Sequence, residues 1–328
     1  MADITPQTLH PAKLEDIYAA RKLLQNMVMT TPLLQLNMED TDSDIYLKLE
    51  NLQPIGAFKV RPAANVILNL EPEQLVRGVF TASSGNMGIA VAWTAARLGL
   101  HADIVVPDSA PNSKLEVLSQ LGATVHCVTF DEWWDVIVTH TSPDTKGVFI
   151  DGVGDIRAMA GDGTIGLEII EQLPDVDTVL IPFGGGGLSC GIASAIRALK
   201  PGVRIIACES EMATPLTTAF KEGHPIDVPH KDCFISGIGV GSVLPWMWPV
   251  VSELIDDTAV VTLEQVANAV KFLAERNHVI AEGAGAVPVA AALSGQAGNG
   301  KTVCVISGGN IDVNDMIAIL QDSVPSRN

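Results

Sequence analysis

The stretch Thr178-Val179-Leu180-Ile181-Pro182-Phe183-Gly184-Gly185-Gly186-Gly187-Leu188 decides the fold. A short apolar run enters four consecutive glycines, and the glycines open an apolar helical pattern over Leu188–Leu199. Strand, tight loop and helix in that order are the repeating unit of an α/β sheet. Four glycines also let several backbone N–H groups converge on one phosphate at a helix N-terminus. Glycine weakens an ordered turn unless the backbone has to approach something closely, so the run reads as a binding loop.

Outward from that unit the same alternation continues. Gly78–Thr81 precedes the helical pattern Gly88–Leu98, His101–Val106 precedes Asn112–Gln120, and Thr124–Val128 follows. Val203–Cys208 and Val303–Ile306 are further apolar strands. Alternation of this kind predicts α/β architecture with mostly parallel sheets covered by helices on both faces. Gly99 and Gly122 stand where helix C-caps belong. There is no 20–50-residue repeat and no low-complexity linker.

Hydrophobic residues are 47% of the 328 and charged residues 18%, enough apolar material for a large core. The net charge of −18 repels phosphate backbones and anionic lipid heads, which argues against nucleic-acid and membrane-surface roles. Cys127, Cys190, Cys208, Cys233 and Cys304 are scattered with no C-x-x-C pair, and read as buried thiols of a cytoplasmic protein. Met1–Asp16 shows no signal-peptide pattern, and the uncharged stretches Thr178–Ile196 and Gly283–Gly300 are too rich in glycine to span a membrane.

Gly161-Asp162-Gly163-Thr164-Ile165-Gly166 matches G-x-G-x-x-G by letter, but no apolar strand precedes it. The Gly184–Gly187 loop lacks the third glycine of a dinucleotide fingerprint, although Glu209 stands where a ribose-binding acid would. A nicotinamide-dependent oxidoreductase therefore rests on that pair alone. Gly187-Leu188-Ser189-Cys190-Gly191 places its serine one residue early for a hydrolase elbow, and no histidine pair has metal-ligand spacing. Lys59 precedes a helical pattern with Val60, Ala63, Ala64 and Ile67 on one face. An amine at the positive end of a helix among apolar neighbours is disfavoured as ammonium, which prepares a lysine for carbonyl chemistry. Thr81–Asn86 joins a strand to a helix and can form a nest of N–H groups for a carboxylate, and Ser307–Asn310 follows another strand.

Taken in order, Tyr46–Asn51, Gly56–Lys59, Ser83–Asn86, Gly184–Leu188, Glu282–Ala286 and Ser307–Asn310 resemble the fold type II (tryptophan synthase β-like) family of pyridoxal phosphate enzymes. The resemblance is to its threonine/serine dehydratase and serine racemase branch and runs from about Leu14 to Ile319. It implies two open, twisted, mostly parallel sheets, with a large domain of residues 1–70 and 149–328 and a small one of 71–148.

The resemblance further implies that Lys59 holds pyridoxal 5'-phosphate covalently, with Phe58 and Gly237 against the two faces of its ring. Asn86 would bond the phenolate oxygen, the backbone of Gly184, Gly185, Gly186, Gly187 and Leu188 would take the phosphate, and Ser307 would face the ring nitrogen. Ser83, Ser84, Gly85, Asn86 and Met87 would line the substrate. Lys59 would move the α-proton, and Ser84 would serve the opposite face in racemisation. The implied reaction is β-elimination from a β-hydroxy amino acid, L-threonine or L-serine, to a 2-oxo acid and ammonia. Dehydration or racemisation of another such amino acid, 3-hydroxyaspartate or a bulkier serine, is the near alternative, and a non-catalytic ligand-binding relative a distant one.

Three positions and one segment depart from the branch. Met87 replaces its usual His, Pro62 its glycine, Asp162 its glutamine, and Asp151–Arg157 is unlike its common pattern. Glu209 and Ala213 match the racemase cation site, but Pro215 takes the place of its acid, so no metal is expected. A homodimer is expected, and the short chain after Asn310 leads us to expect no C-terminal regulatory domain.

Overall fold

The protein is described here by a computed structural model covering residues 9–38 and 44–327. The first half of the Met1–Asp16 segment, on which the signal-peptide expectation bears, lies outside the described residues. Among the described residues ten strands form two sheets: β1 (Leu33–Gln35), β2 (Ile45–Lys48), β3 (Val79–Ala82), β4 (Ala102–Pro107), β5 (Thr124–Val128), β6 (Val148–Phe149), β7 (Thr178–Pro182), β8 (Arg204–Ser210), β9 (Asp257–Val261) and β10 (Thr302–Val305). The larger sheet runs β1-β2-β10-β7-β8-β9 and the smaller β5-β4-β3-β6. Every pairing is parallel except β1 with β2 at one edge. The α/β fold with two mostly parallel sheets and flanking helices is thus as the alternation predicts.

β7 and the central part of β8 are buried throughout, as expected of strands with helices on both faces. β5 is different: it is the edge of the small sheet and none of its residues is buried. That placement corrects one expectation. Cys127 on β5 is exposed and Cys233 half-buried, so only Cys190, Cys208 and Cys304 are buried thiols. Gly99 and Gly122 do lie in the left-handed region at helix ends, at φ +68° and +80°.

Two helix contacts position the site. The helix Val60–Leu68 packs its apolar side, with Val60, Ala63, Val66 and Ile67, into the core beneath the small sheet. Its other side meets the long helix Ile156–Gln172, where Gly161 lets the backbones close: a Cβ there would stand 2.7 Å from the Arg61 carbonyl oxygen. The glycines of Gly161–Gly166 are therefore packing glycines inside a helix, not a nucleotide loop. Gly161→Ala should separate the two helices and cost about 1–3 kcal/mol, read as a lower denaturant midpoint. A wild-type midpoint in that variant would show that the contact yields freely.

A buried ionic cluster lies where these helices meet β2. The Arg61 guanidinium donates from Nε to Glu50 Oε2 at 2.8 Å and from Nη1 to Glu168 Oε1 at 2.7 Å, while Nη2 reaches both carboxylates. Lys48 Nζ donates to Glu168 Oε2 at 2.5 Å, and Thr31 Oγ1 to Glu50 Oε1 at 2.6 Å. Lys48, Glu50 and Arg61 are all at most 1% exposed, so the cluster is desolvated and its charges balance pairwise.

Candidate active site

Lys59 caps the helix Val60–Leu68 at its N-terminus. The segment before it is zipped to the chain leaving β10: Phe58 N–H donates to the Ser307 carbonyl at 2.9 Å, and Gly309 N–H to the Gly56 carbonyl at 2.8 Å. An isolated bridge between Ala57 and Gly308 lies between these bonds. Lys59 and Ser307 are therefore brought together by backbone pairing, although 248 positions separate them in sequence. The half-buried Lys59 amine rests 4.8 Å from the centre of the Phe58 ring and donates to no acceptor among the described residues. Burial lowers the pKa of its ammonium form from the usual lysine value, against the opposing pull of Asp162, Asp151 and Glu282.

Two helix N-termini face this region with unused donors. From Gly184 to Ser189 no backbone N–H finds an acceptor among the described residues. The loop leads from β7 into the helix Gly187–Leu199, and Gly186 takes φ +95°, which a side chain would strain. A Cβ on Gly185 would stand 2.9 Å from the Val153 side chain, so the cradle admits only glycine. Such a run of donors at the positive end of a helix is suited to a phosphate. Likewise the N–H groups of Ser84, Asn86 and Met87 have no acceptor among the described residues, while Gly85 N–H donates to Ser83 Oγ at 3.2 Å. These open the helix Asn86–Leu98, which begins two residues earlier than its apolar pattern suggests, because polar Asn86 and Met87 already take helical positions.

Gly237 lies in the short helix Ser236–Ile238, and its carbonyl oxygen is 3.3 Å from the Cβ position of Gly184. Asn86 Nδ2 donates to Glu282 Oε1 at 2.9 Å, and Asn310 Nδ2 to Asn86 Oδ1 at 2.8 Å. The amide expected to serve a phenolate oxygen is thus engaged on both sides by protein groups. Met87 packs on the chain near Gly152, its Sδ 2.7 Å from where a Cβ would stand there. Leu188 begins the buried core side of its helix, and the Ser307 hydroxyl has no partner among the described residues.

Three groups in the site appeared in the sequence only inside motifs, with no role assigned. Glu282 caps the helix Gly283–Leu293, and burial pushes its carboxyl up despite the Asn86 hydrogen bond. An acid directly before Gly283-Ala284-Gly285-Ala286 was the available signal. Asn310 is held by Asn86 and the Ile55 carbonyl. Asp162 is fully buried under the Gly187–Leu199 helix. Glu209, by contrast, spends its carboxylate on the helix Pro215–Glu222, accepting from Leu216 N–H, Thr217 N–H and Thr217 Oγ1 at 2.6–2.8 Å.

A phosphate cradle, an electrophile-ready lysine and a second anion nest fit pyridoxal phosphate, and the comparisons agree. The sequence profile of the family described as pyridoxal-phosphate dependent enzyme matches residues 24–309. The L-threonine ammonia-lyase of Thermotoga maritima is 42% identical over 306 residues, 92% of this chain and 76% of the relative. The catabolic L-threonine dehydratase of Staphylococcus aureus is 35% identical, covering 97% of this chain and 94% of its own. Maize serine racemase superposes with a TM-score of 0.86 at 32% identity, covering 94% of this chain and 96% of that one. With the profile spanning nearly the whole chain, the protein belongs to the pyridoxal-phosphate dependent enzymes.

Proposed function

We propose that this enzyme is an ammonia-lyase for small β-hydroxy amino acids, converting L-threonine to 2-oxobutanoate and L-serine to pyruvate with release of ammonia. The observation that carries the reading is the depressed Lys59 amine set between two helix N-termini with free N–H donors. The threonine ammonia-lyases and dehydratases among its relatives supply the substrate class.

Pyridoxal phosphate, when bound, supplies the electron sink that acidifies the α-carbon of an amino acid and lets a β-substituent depart. The protein's own residues do the rest. The Gly184–Leu188 backbone would hold the phosphate, Phe58 and Gly237 would confine the ring, and the Ser307 hydroxyl would meet its nitrogen as a neutral partner. N–H groups of the Ser83–Met87 segment would fix the substrate carboxylate. Lys59 Nζ, its ammonium form disfavoured by burial, would take the α-proton. Ser84, in that same segment, would return a proton to the other face where racemisation occurs. Residues 1–70 and 149–328 would move as one body against 71–148, closing the cleft on the released enamine before water reaches it. A homodimer in the cytoplasm completes the proposal.

The test is a panel of L-threonine, L-serine and L-threo-3-hydroxyaspartate, assayed for 2-oxo acid and, by chiral chromatography, for inverted amino acid. Threonine and serine should give 2-oxo acid with the higher kcat/KM. No 2-oxo acid from either would reject the reading. Ser84→Ala should leave elimination within a few-fold and remove inversion; equal loss of both would show that Ser84 has another role.

A further inference from the structure

The wall between the two cradles is the short turn Asp151–Gly154, which leaves the carboxyl end of β6. Pairing to β3 continues through Ile150, whose N–H donates to the Phe80 carbonyl at 2.8 Å and whose carbonyl accepts from Thr81 Oγ1 at 3.0 Å. Asp151 therefore emerges beside the carboxyl end of β3, from which the Ser83–Met87 nest starts. Strand carboxyl ends are where open α/β sheets bind ligands. The turn touches both cradles. A Cβ on Gly152 would stand 2.7 Å from Met87 Sδ, one on Gly187 would meet the Gly152 carbonyl oxygen at 2.9 Å, and one on Gly185 the Val153 side chain at 2.9 Å.

The two oxygens of the Asp151 carboxylate have different surroundings. Oδ1 accepts from Val153 N–H at 2.8 Å and fixes the turn. Oδ2 has His140 Nε2 at 3.8 Å, beyond hydrogen-bond reach, and no hydrogen-bond partner among the described residues. That imidazole stands at the end of the helix Phe130–Thr139 and stacks on Phe149, ring centres 4.3 Å apart. Oδ2 lies 2.6 Å from where a Cβ on Gly154 would stand, and Trp246 Nε1 flanks the same point at 3.2 Å. The Asp151 side chain is 23% exposed, so a ligand can reach the free oxygen. Its charge also acts on the Lys59 amine, which puts the carboxylate in range of the reacting end of the substrate.

Resting on the ammonia-lyase reading, we propose that Asp151 selects the β-substituent of the substrate: Oδ2 accepts the hydrogen of a β-hydroxyl and repels a side-chain carboxylate. A substrate held by its carboxylate in the Ser83–Met87 nest and by its amine at the cofactor gives its α-proton to Lys59. What remains on the α-carbon is the side chain, and the wall left for it is the Asp151–Gly154 turn. A free carboxylate oxygen there takes a hydroxyl donor well, whereas an acidic side chain meets a like charge. Met87, packed on Gly152, brings an uncharged thioether that does nothing to offset it. The substrate class is therefore small β-hydroxy amino acids with neutral side chains: threonine and serine qualify, and 3-hydroxyaspartate does not.

Asp151→Asn tests this with the turn intact, because its Oδ1 keeps the Val153 hydrogen bond while an N–H donor replaces Oδ2. In the holoenzyme, kcat/KM for L-threonine should fall about tenfold and that for L-threo-3-hydroxyaspartate should rise about as much. Binding of L-2-aminobutanoate, which is threonine without its hydroxyl, is read from the shift of the visible band and should change by less than about twofold. Asp151→Ser, whose hydroxyl can also accept from Val153 N–H, repeats the comparison if the asparagine variant does not fold. An unchanged ratio between the two substrates, or an equal loss for threonine and 2-aminobutanoate, overturns the proposal. No 2-oxo acid from threonine or serine in the wild type rejects the ammonia-lyase reading and the proposal with it. Wild-type turnover with an unchanged ratio in the variant rejects Asp151 alone.

Discussion

Lys59→Ala should abolish both the visible absorption of the purified enzyme and its turnover, with the deamination rate falling by about 10³-fold or more. Two roles fall on the one nitrogen. In the proposed reaction it is both the cofactor-holding amine, at the N-terminus of the helix whose lead-in segment is zipped to Ser307, and the base whose ammonium form burial disfavours. Removing the amine should also leave the two anion cradles intact, because they are built from backbone. The variant should therefore still bind pyridoxal phosphate reversibly, without the covalent band. Retained turnover in Lys59→Ala would sink the assignment.

The second large effect is on stability. Arg61→Leu should lower it by about 3–5 kcal/mol, because Glu50 and Glu168 stay buried and lose their shared counter-ion. The denaturant midpoint should fall with little change in slope. Burial would raise the Glu50 carboxyl, but the Arg61 charge and hydrogen bonds hold it below the usual range. Its contribution is therefore full above the unfolded value near 4.3 and is lost as pH falls through the lower folded value. The wild type should lose this part of its stability in acid, and Arg61→Leu should not, having lost it already. A quadruple replacement of Lys48, Glu50, Arg61 and Glu168 by apolar residues of similar volume should recover much of the loss, since what costs is the unpaired charge. An Arg61→Leu enzyme as stable as the wild type would mean the cluster is replaceable by water.

The fold was legible because each strand–loop–helix unit carries its own local signal. Thr178–Pro182 and Gly184–Gly187 need no distant partner to be read, and the structure has them where the pattern puts them. The cradles were legible for the same reason: small residues between a strand and a helix expose backbone N–H groups. What pairs across the chain was not. Arg61 is one arginine among ordinary helix residues until Glu168, more than a hundred positions away, is folded against it. Asp162 reads as a substituted letter in a glycine motif, and only burial without a partner makes it chemically unusual. Cys127 went the other way, because an edge strand and a central one share the same β-branched composition while only the central one is covered.

The most direct test of the central claim is to add L-threonine to the purified holoenzyme while recording the visible spectrum, 2-oxobutanoate and ammonia together. The account predicts a band that shifts on mixing and then returns, with 2-oxobutanoate and ammonia formed in equal amounts. A band that stays unmoved by both L-threonine and L-serine, with neither product formed, would contradict it.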